Sequence, residues 1–360
     1  MSESKYYDGT KLLSMMDING NKPELFICTS NRTGGKTTYF GRLLVNRFLK
    51  ENKKFCLLYR YNYELDDCAS NFFKDIGSLF FPNYEMVSKS MSKGIYHELF
   101  LIDTRYEDEV GVSCGYALSL NSADQLKKRS HLFSDVCTIL FDEFQSETNH
   151  YCNDEVKKFQ SIHTSLARGQ GQQVKYLPVY MVSNPVSTIN PYYVALGISD
   201  RLTKQVKFLR GNGYVLEQGY NKSASDALKS SGFNKAFSGG SDYLSYASDG
   251  KYLNDSNTFI QKMNGNGHYL FTLKYDGKEY GVREYTREGI IYVSDSVDTT
   301  FKLKIAIDLE SHDINYVLLS RYDDYINRLK YLFNHGAFRF KNQQCKNAML
   351  RMLCYKDLSK

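Results

Sequence analysis

The sequence lacks the patterns that mark disulfide-rich, zinc-binding and membrane-spanning proteins. Its eight cysteines stand singly, with no C-x-x-C pair, so neither a disulfide framework nor a zinc site is expected. No apolar run approaches the roughly 18 residues that a membrane span requires. Residues 1–13 also lack the basic-then-apolar order of a signal peptide. These absences predict a soluble protein of the cytoplasm with no membrane partner.

A large excess of one charge is also lacking, because the formal net charge is only +6. The distribution of this charge is uneven. Residues 321–360 carry nine Lys and Arg against three Asp, a surplus as large as that of the whole chain. Such a basic C-terminal segment suits a phosphate-rich or acidic partner, although a solvated helical surface would have the same composition.

Two kinds of pattern divide the 360 residues. Up to residue 207, short apolar runs alternate with helical segments, which predicts an α/β domain with a mainly parallel sheet covered on both faces. Residues 208–249 are polar and rich in Ser and Gly, which predicts a linker with one short helix. Residues 250–360 then form a second, α+β domain, opened by a three-stranded meander over residues 268–296.

The first candidate site follows the apolar run of residues 24–30. The sequence SNRTGGKTT provides Gly34 and Gly35 for close backbone approach to phosphate, Lys36 for the β/γ oxygens and Thr37 for Mg²⁺. The pattern G-x-x-x-x-G-K-[ST] is complete except for Ser30, which replaces the first glycine. An ordinary strand-turn-helix joint is the alternative. The predicted ATP-binding residues are Ser30, Asn31, Arg32, Thr33, Gly34, Gly35, Lys36, Thr37 and Thr38.

Two further polar positions follow apolar strand-like runs. Asp142 and Glu143 come after the run of residues 136–141, where Asp142 would hold the Mg²⁺ and Glu143 would act as general base toward the attacking water. Asn184 ends the run of residues 176–183, where its amide would contact the attacking water or the γ-phosphate. Each feature alone is also compatible with a structural role, and Asn184-Pro185 is equally a plain turn.

Two arginines are candidates for a finger supplied to a neighbouring subunit. Arg168 ends a predicted helix at a Gly-rich turn, and Arg129 lies in the basic turn KKRSH. A finger of this kind accelerates phosphoryl transfer by about 10³–10⁵-fold. Solvated surface charge is the alternative for both.

Together these motifs resemble the DNA-packaging ATPases of phi29-like tailed phages, which are related to terminases. The resemblance runs nearly end to end and is carried by SNRTGGKT, TILFDEF, SNPVSTINPYY and the C-terminal YLFNHGAFRF. The second Asn-Pro-Tyr is the most specific feature, because ATPases in general have no reason to share it. An arginine inside the phosphate loop, here Arg32, is also familiar from viral packaging enzymes.

The resemblance implies an additional-strand, conserved-glutamate (ASCE) P-loop ATPase domain, a lid-like linker and a C-terminal domain of the ribonuclease-H type without nuclease activity. It implies ATP and Mg²⁺ as cofactors, with Asn184 coupling hydrolysis to movement and Arg168, or less strongly Arg129, acting in trans. The implied partners are double-stranded DNA, the portal protein, further copies in a pentameric ring and, in some members, a structural packaging RNA. The implied location is the host cytoplasm, with transient binding to the portal vertex of the procapsid.

Two alternatives remain for the function. A complete terminase would both cut and pump DNA, but the run YLFTLKY has no carboxylate in its middle, where a two-metal nuclease needs one, and only Asp276 and Glu284 lie nearby. A scaffold that binds nucleic acid without hydrolysis would retain a degenerate phosphate loop. The intact set of Lys36, Thr37, Asp142 and Glu143 argues against it.

Overall fold

The computed structural model describes most of the chain. The described residues are 6–106, 110–148, 150–169, 171, 173–188, 190–202, 206–236, 242–250, 252, 259–275, 277–307, 311–318 and 324–353. They form two compact units, Met1–Asn254 and Asp255–Lys360, called here the first and second units. No helix among these residues has the length and apolar character needed to cross a membrane.

The first unit is built on a nine-stranded sheet with the order β3-β4-β5-β2-β6-β7-β1-β9-β8. Its strands are β1 (Leu25–Thr29), β2 (Lys54–Tyr59), β3 (Tyr84–Met91), β4 (Tyr96–Asp103), β5 (Val112–Ser119), β6 (Val136–Asp142), β7 (Val179–Ser183), β8 (Phe208–Gly211) and β9 (Tyr214–Gln218). The six neighbouring strands β5-β2-β6-β7-β1-β9 pair in parallel. Antiparallel pairing adds β4 and β3 at one edge and β8 at the other.

Helices cover both faces of this sheet. The helices of this unit are α1 (Thr10–Ser14), α2 (Lys36–Glu51), α3 (Cys68–Phe80), α4 (Ala123–Lys127), α5 (Glu155–Leu166), α6 (Pro191–Ala195), α7 (Lys222–Ser230), α8 (Gly232–Ala236) and α9 (Asp242–Asp249), of which α2 and α5 pack on opposite faces. In β1, Ile27 belongs to the core on the α5 side, whereas Phe26 and Cys28 belong to the core on the α2 side. Burial on both faces explains why the central strands read as continuous apolar runs.

The structure differs from the sequence-based boundary at residue 208. Instead of starting a linker, residues 208–218 form the hairpin β8–β9, and β9 pairs in parallel with β1 from Leu25↔Tyr214 to Thr29↔Gln218. Its turn contains Asn212-Gly213. The strands are short, however, and the polar stretch that follows them masked their signal. The first unit extends to Asn254 and includes α7, α8 and α9.

The hairpin β3–β4 was also missed by the sequence analysis. Its strands pair from Tyr84↔Asp103 to Met91↔Tyr96 and form the edge of the sheet. Because β3 alternates buried and exposed residues only weakly, its sequence carries little strand periodicity.

The second unit contains a six-stranded sheet with the order β14-β13-β10-β11-β12-β15. Its elements are β10 (His268–Tyr275), β11 (Lys278–Tyr285), β12 (Ile290–Ser294), β13 (Lys304–Ala306), β14 (Val317–Leu318), β15 (Phe338–Phe340), α10 (Asp324–Asn334) and α11 (Gln343–Leu353). The predicted meander is present as β10–β11–β12, and Ala348, Met349 and Met352 of α11 pack into its core. Asp276, in the first predicted turn, lies outside the described residues.

Candidate nucleotide-binding site

Three neighbouring parallel strands bring the predicted site residues to one edge of the first sheet. Strand β7 lies between β1 and β6, and all three run in the same direction. Ser30 follows β1, Asn184 follows β7, and Asp142 ends β6. Polar groups that follow adjacent parallel strands meet outside the carboxyl ends, where open α/β sheets bind their ligands. The fold therefore brings together residues that are far apart in sequence.

The loop between β1 and α2 has the backbone of a phosphate cradle. Gly35 is the N-cap of α2 and has a left-handed φ of 88°, which glycine adopts without cost. A Cβ on Gly34 would lie 3.3 Å from both the Asn31 carbonyl oxygen and the Ser30 hydroxyl, so a side chain there would crowd the loop. The first N–H groups of α2 have no partner within the helix, and with the helix dipole they suit an anion at this end of the loop.

Ser30 is accommodated without backbone strain. The described residues with positive φ include Thr33 but not Ser30, so the missing first glycine is not needed at this position. The Ser30 N–H donates to the carbonyl oxygen of Ser183 at 3.3 Å, which continues the pairing of β1 with β7. The strand therefore simply extends by one residue before the loop begins.

The Lys36 ammonium is held inside the loop by three oxygen atoms. Its Nζ donates to the Ser30 carbonyl at 3.0 Å, to the Asn31 carbonyl at 3.3 Å and to Asn184 Oδ1 at 3.1 Å. Burial lowers the pKa of Lys36. Ser30, Asn31 and Gly34 are also buried, Arg32, Gly35, Thr37 and Thr38 are half-buried, and Thr33 is exposed.

Asp142 and Thr37 form the candidate metal-binding pair. Burial raises the pKa of Asp142 to about 6, opposed by a hydrogen bond with the Thr37 side chain. Mg²⁺ prefers hard oxygen ligands and usually takes one or two from the protein, with phosphate and water completing the shell. A hydroxyl and a carboxylate in contact at the phosphate loop fit this requirement. No larger group of His, Cys, Asp and Glu side chains with metal-binding geometry occurs in the described parts of the chain.

Glu143 differs from Asp142 in both exposure and backbone conformation. Its residue is exposed, and its φ of 52° is left-handed. The Glu143 N–H donates to Asp142 Oδ1 at 2.9 Å. Within the described residues, the Glu143 carboxylate makes no hydrogen bond or ion pair, so it is free to meet a water molecule beside the loop.

Glu147 connects Asn184 to the phosphate loop and was missed by the sequence analysis. Its carboxylate forms an ion pair with Arg32, accepts a hydrogen bond from the Tyr246 hydroxyl and is also hydrogen-bonded to Asn184. Burial alone would raise the pKa of Glu147, but these hydrogen bonds hold it below the usual value. No local pattern marks Glu147, because its partners come from three distant segments.

The segment that follows β9 lies directly on the phosphate loop. The Asn31 side chain exchanges two hydrogen bonds with the Asn221 backbone, at 2.9 and 2.8 Å. The Arg32 N–H donates to the carbonyl oxygen of Ala247 in α9 at 2.9 Å, and the Arg32 guanidinium lies over the Tyr243 and Tyr246 rings. The start of α7 and the helix α9 therefore lie against one side of the loop.

The structure does not bring Arg168 or Arg129 to the phosphate loop of their own chain. Arg168 is exposed and follows α5, where Ala167 and Lys175 tie the turn to Val136 at the amino end of β6. Arg129 lies between α4 and β6 and donates to the Gln125 carbonyl at 3.1 Å. In the resolved surroundings of both arginines, neither contacts a residue of the site.

The basic C-terminal segment is partly neutralised. Lys341 is 2.5 Å from Asp295, and Arg328 is 3.6 Å from Glu284. Lys346 is buried in α11. Arg321, Lys356 and Lys360 lie outside the described residues. In the described part of residues 321–360, fewer positive charges are therefore unpaired at the surface than the composition indicates.

Fold and site together define a class: an α/β protein with a mixed sheet, a phosphate-binding loop between β1 and α2, and an acidic pair at the end of a nearby strand. Residues 1–357 match the model of the Podovirus DNA encapsidation protein (Gp16) family. The chain belongs to this family.

Individual relatives agree with this assignment. The DNA packaging protein of Bacillus phage B103 is 30% identical over 318 residues, covering 86% of this chain and 90% of that protein. The DNA packaging proteins of Bacillus phages PZA and phi29 are 26% and 25% identical over 351 residues, covering 96% of each chain. These relatives match the chain almost from end to end, so both units are included.

Solved structures support the fold. A chain of the bacteriophage phi29 viral genome packaging motor assembly superposes with a TM-score of 0.65 at 23% identity, covering 97% of this chain and 100% of that one. A chain of the phage phi28 gp11 DNA packaging motor superposes with a TM-score of 0.58 at 17% identity, covering 98% and 99%. At this identity the similarity supports the α/β fold with mixed sheets.

Proposed function

We propose that the protein is the ATP-hydrolysing subunit of a motor that moves double-stranded DNA into a viral procapsid. The observation that carries the proposal is the meeting of Lys36, Asn184 and the pair Thr37–Asp142 outside three adjacent strands. The DNA packaging proteins among its relatives support the DNA-packaging part of this proposal. Strand β7 between β1 and β6 also supports placing the first unit among ASCE P-loop ATPases.

Each group at the edge of the sheet then has a chemical role. The α2 N-terminus and Lys36 would hold the β- and γ-phosphates, and Thr37 with Asp142 would hold Mg²⁺, which neutralises charge on the phosphates when bound. Glu143 would accept the proton of a water molecule as its oxygen attacks the γ-phosphorus and the bond to the ADP oxygen breaks. Asn184, bonded to both Lys36 and Glu147, would report the loss of the γ-phosphate.

The part of the chain that follows β9, described over residues 219–236 and 242–250, is proposed to act as a lid. The contacts of Asn31 with Asn221 and of Arg32 with Ala247 join this segment to the loop, so a change in the loop on nucleotide binding would be passed to it. This keeps the lid-like role expected for residues 208–249, but moves its start beyond β9.

The second unit is proposed to be a ribonuclease-H-type domain without nuclease activity. Its mixed sheet, with β13 parallel to β10 and β14 parallel to β13, supports this assignment. The middle of β10 holds Phe271, Thr272 and Leu273, none of which offers a carboxylate to a metal, and Glu284 is paired with Arg328.

The active assembly is proposed to be a pentameric ring at the portal vertex in the host cytoplasm. The exposed Arg168, which is remote from the site of its own chain, could reach the site of a neighbour, with Arg129 as a second candidate. Double-stranded DNA would be held through its backbone phosphates, because a motor must move any sequence. The portal protein and a structural packaging RNA are the partners proposed for the basic residues of 321–360.

Glu143→Gln tests the proposal directly in a DNA-stimulated, Mg²⁺-dependent ATPase assay. Removing a general base is expected to lower kcat by about 10²-fold or more while nucleotide still binds. Glu85→Gln, at an exposed position of edge strand β3, is the matched control and should leave turnover unchanged. Undiminished turnover of Glu143→Gln would remove Glu143 from its role, and absence of hydrolysis in the unaltered protein would favour the non-enzymatic scaffold.

A further inference from the structure

The backbone of Glu143 is held in a conformation that it would not adopt freely. A left-handed φ costs a residue with a Cβ about 1–2 kcal/mol, and such a conformation persists only where the surroundings determine it. The residues on either side of Glu143 are anchored. Asp142 ends β6, and the N–H of Phe144 donates to the Val182 carbonyl at 3.3 Å. The Phe144 ring is fully buried against the rings of Tyr192 and Tyr193.

Arg60 contacts the two carbonyl groups at this point of the chain. It directly follows β2, which pairs with β6, so its side chain starts beside the end of the β6 strand. One terminal nitrogen donates to the Phe144 carbonyl oxygen at 2.7 Å. The two terminal nitrogens also lie 3.4 and 3.5 Å from the Glu143 carbonyl oxygen. The planar guanidinium therefore spans the peptide that follows the proposed base.

Glu155 fixes the orientation of this guanidinium. Arg60 Nε donates to both Glu155 carboxylate oxygens, at 3.1 and 3.0 Å. The same carboxylate accepts hydrogen bonds from the Tyr192 hydroxyl at 2.8 Å and from the Cys152 N–H at 2.7 Å. Arg60 is 8% exposed and Glu155 is 3% exposed. All polar atoms of the Glu155 carboxylate are thus satisfied, and the pair has no freedom to turn toward solvent.

The most specific motif of the sequence supports the same network. In SNPVSTINPYY, Asn190 caps α6 by accepting from the N–H groups of Tyr192 and Tyr193. This places the Tyr192 hydroxyl on Glu155 and both rings on Phe144. The motif therefore packs around the residue that follows Glu143.

We propose that Arg60 is a positioning residue for ATP hydrolysis, held by Glu155 and Tyr192, that fixes the Glu143–Phe144 peptide so that the Glu143 carboxylate faces the attacking water. The inference rests on the proposed function of Glu143. A buried ion pair contributes little net stability compared with apolar residues, so stability alone is a weak reason for placing one here. Its geometry, with two carbonyl groups on one fork, instead serves orientation.

Arg60→Lys is the test variant. Lysine keeps the charge opposite Glu155 but has no planar fork, so it cannot hold Glu155 and both carbonyl groups together. The variant is expected to bind a fluorescent ATP analogue as the unaltered protein does, with kcat for the full chain with DNA and Mg²⁺ lowered by about 10–100-fold, the effect of a misplacement near 1 Å. Arg105→Lys, at an exposed arginine paired with Asp103, is the matched control and should leave kcat unchanged.

A double mutant separates positioning from general structure. If Arg60 acts through Glu143, Arg60→Lys should not lower the residual single-turnover rate of Glu143→Gln any further. An equal loss in both backgrounds, or a large rise in the nucleotide Kd, would overturn the inference. Full activity of Glu143→Gln would instead remove the proposed role of Glu143 itself. If Arg60→Lys fails to fold, Arg60→Met with Glu155→Met removes both buried charges and should show the same loss of kcat with nucleotide binding retained.

Discussion

The neutral amide of Asn184 contacts both Lys36 and Glu147, so a charge introduced at this position would compete with bound phosphates for Lys36. Asn184→Asp keeps the size but adds a negative charge at 3.1 Å from Lys36 Nζ. That charge would keep the ammonium on the protein and away from the phosphates. We therefore expect the Kd for ATP to rise by about tenfold or more. Fluorescent nucleotide binding measures the change. Asn184→Ala is the control, and an equal Kd for both variants would contradict the prediction.

The hydroxyl of Thr37 is predicted to hold Mg²⁺ together with Asp142. Thr37→Val keeps the shape but removes this oxygen, whereas Thr37→Ser keeps it. We therefore expect Thr37→Val to need a Mg²⁺ concentration at least about tenfold higher for half-maximal ATPase activity, because one hard oxygen ligand is lost.

Thr37→Ser is the matched control and should titrate with Mg²⁺ as the unaltered protein does. The measurement is the ATPase rate over a Mg²⁺ series at fixed ATP. Equal Mg²⁺ requirements for the valine and serine variants would exclude the hydroxyl from the metal site.

At the scale of elements, Asn221 joins α7 to the phosphate loop. Its side chain caps the helix by accepting from the Ala224 N–H at 2.8 Å, and its backbone pairs with Asn31. Asn221→Ala removes the cap, which is worth about 1 kcal/mol, and should accelerate hydrogen exchange in α7. Ser230→Ala, at the other end of the helix, is the control. Unchanged exchange in α7 would show that the cap does not hold this helix on the loop.

Where a single segment carries the whole signal, the sequence alone indicates which residues meet at the sheet edge, and their binding and catalytic roles stay predictions. The loop of residues 30–38, the pair Asp142–Glu143 and Asn184 each follow an apolar strand, and parallel pairing then brings them to the same edge. The sequence analysis missed residues whose contacts come from distant parts of the chain. Glu147 is 99 residues from Tyr246, and Arg60 is 95 residues from Glu155, so no local period or spacing marks them.

The predicted start of the linker at residue 208 differs from the structure for another reason. Strand β9 is buried and pairs with β1, but it has only five residues and is followed at once by the polar segment of α7. A window long enough to show periodicity includes both β9 and the polar segment, so the strand pattern is lost in the average. The strand forms because it pairs with β1, which the local composition does not show.

At the scale of the whole molecule, each unit has its own apolar core. The core of the second unit includes Phe271, Val282, Phe340 and Met349, all within residues 255–360. We therefore expect the fragment 1–254 to bind ATP and the fragment 255–360 to fold alone. Cooperative thermal unfolding of each fragment, followed by circular dichroism, is the measurement. A fragment that unfolds without a transition would contradict the division.

The assembly is tested by mixing inactive subunits. Lys36→Ala is expected to abolish nucleotide binding in its own subunit but to leave Arg168 for a neighbour, and Arg168→Ala is expected to have the reverse defect. Mixed rings should therefore recover part of the ATPase activity if the finger acts in trans, because an arginine finger is worth about 10³–10⁵ in rate. No recovery at any ratio, once native mass spectrometry shows mixed rings, would rule out Arg168 as that finger.

The pairing of β9 with β1 has a mechanical consequence. Thr29, at the end of β1, pairs with Gln218, and its carbonyl oxygen accepts from the Gly219 N–H at 2.7 Å. The chain thus passes beside the root of the phosphate loop immediately before it continues through α7 and α9 to the second unit. A force that develops when the loop closes on a nucleotide has a covalent path, about thirty-five residues long, to Asp255. The stiffness of that path would set how much of each hydrolysis event becomes movement.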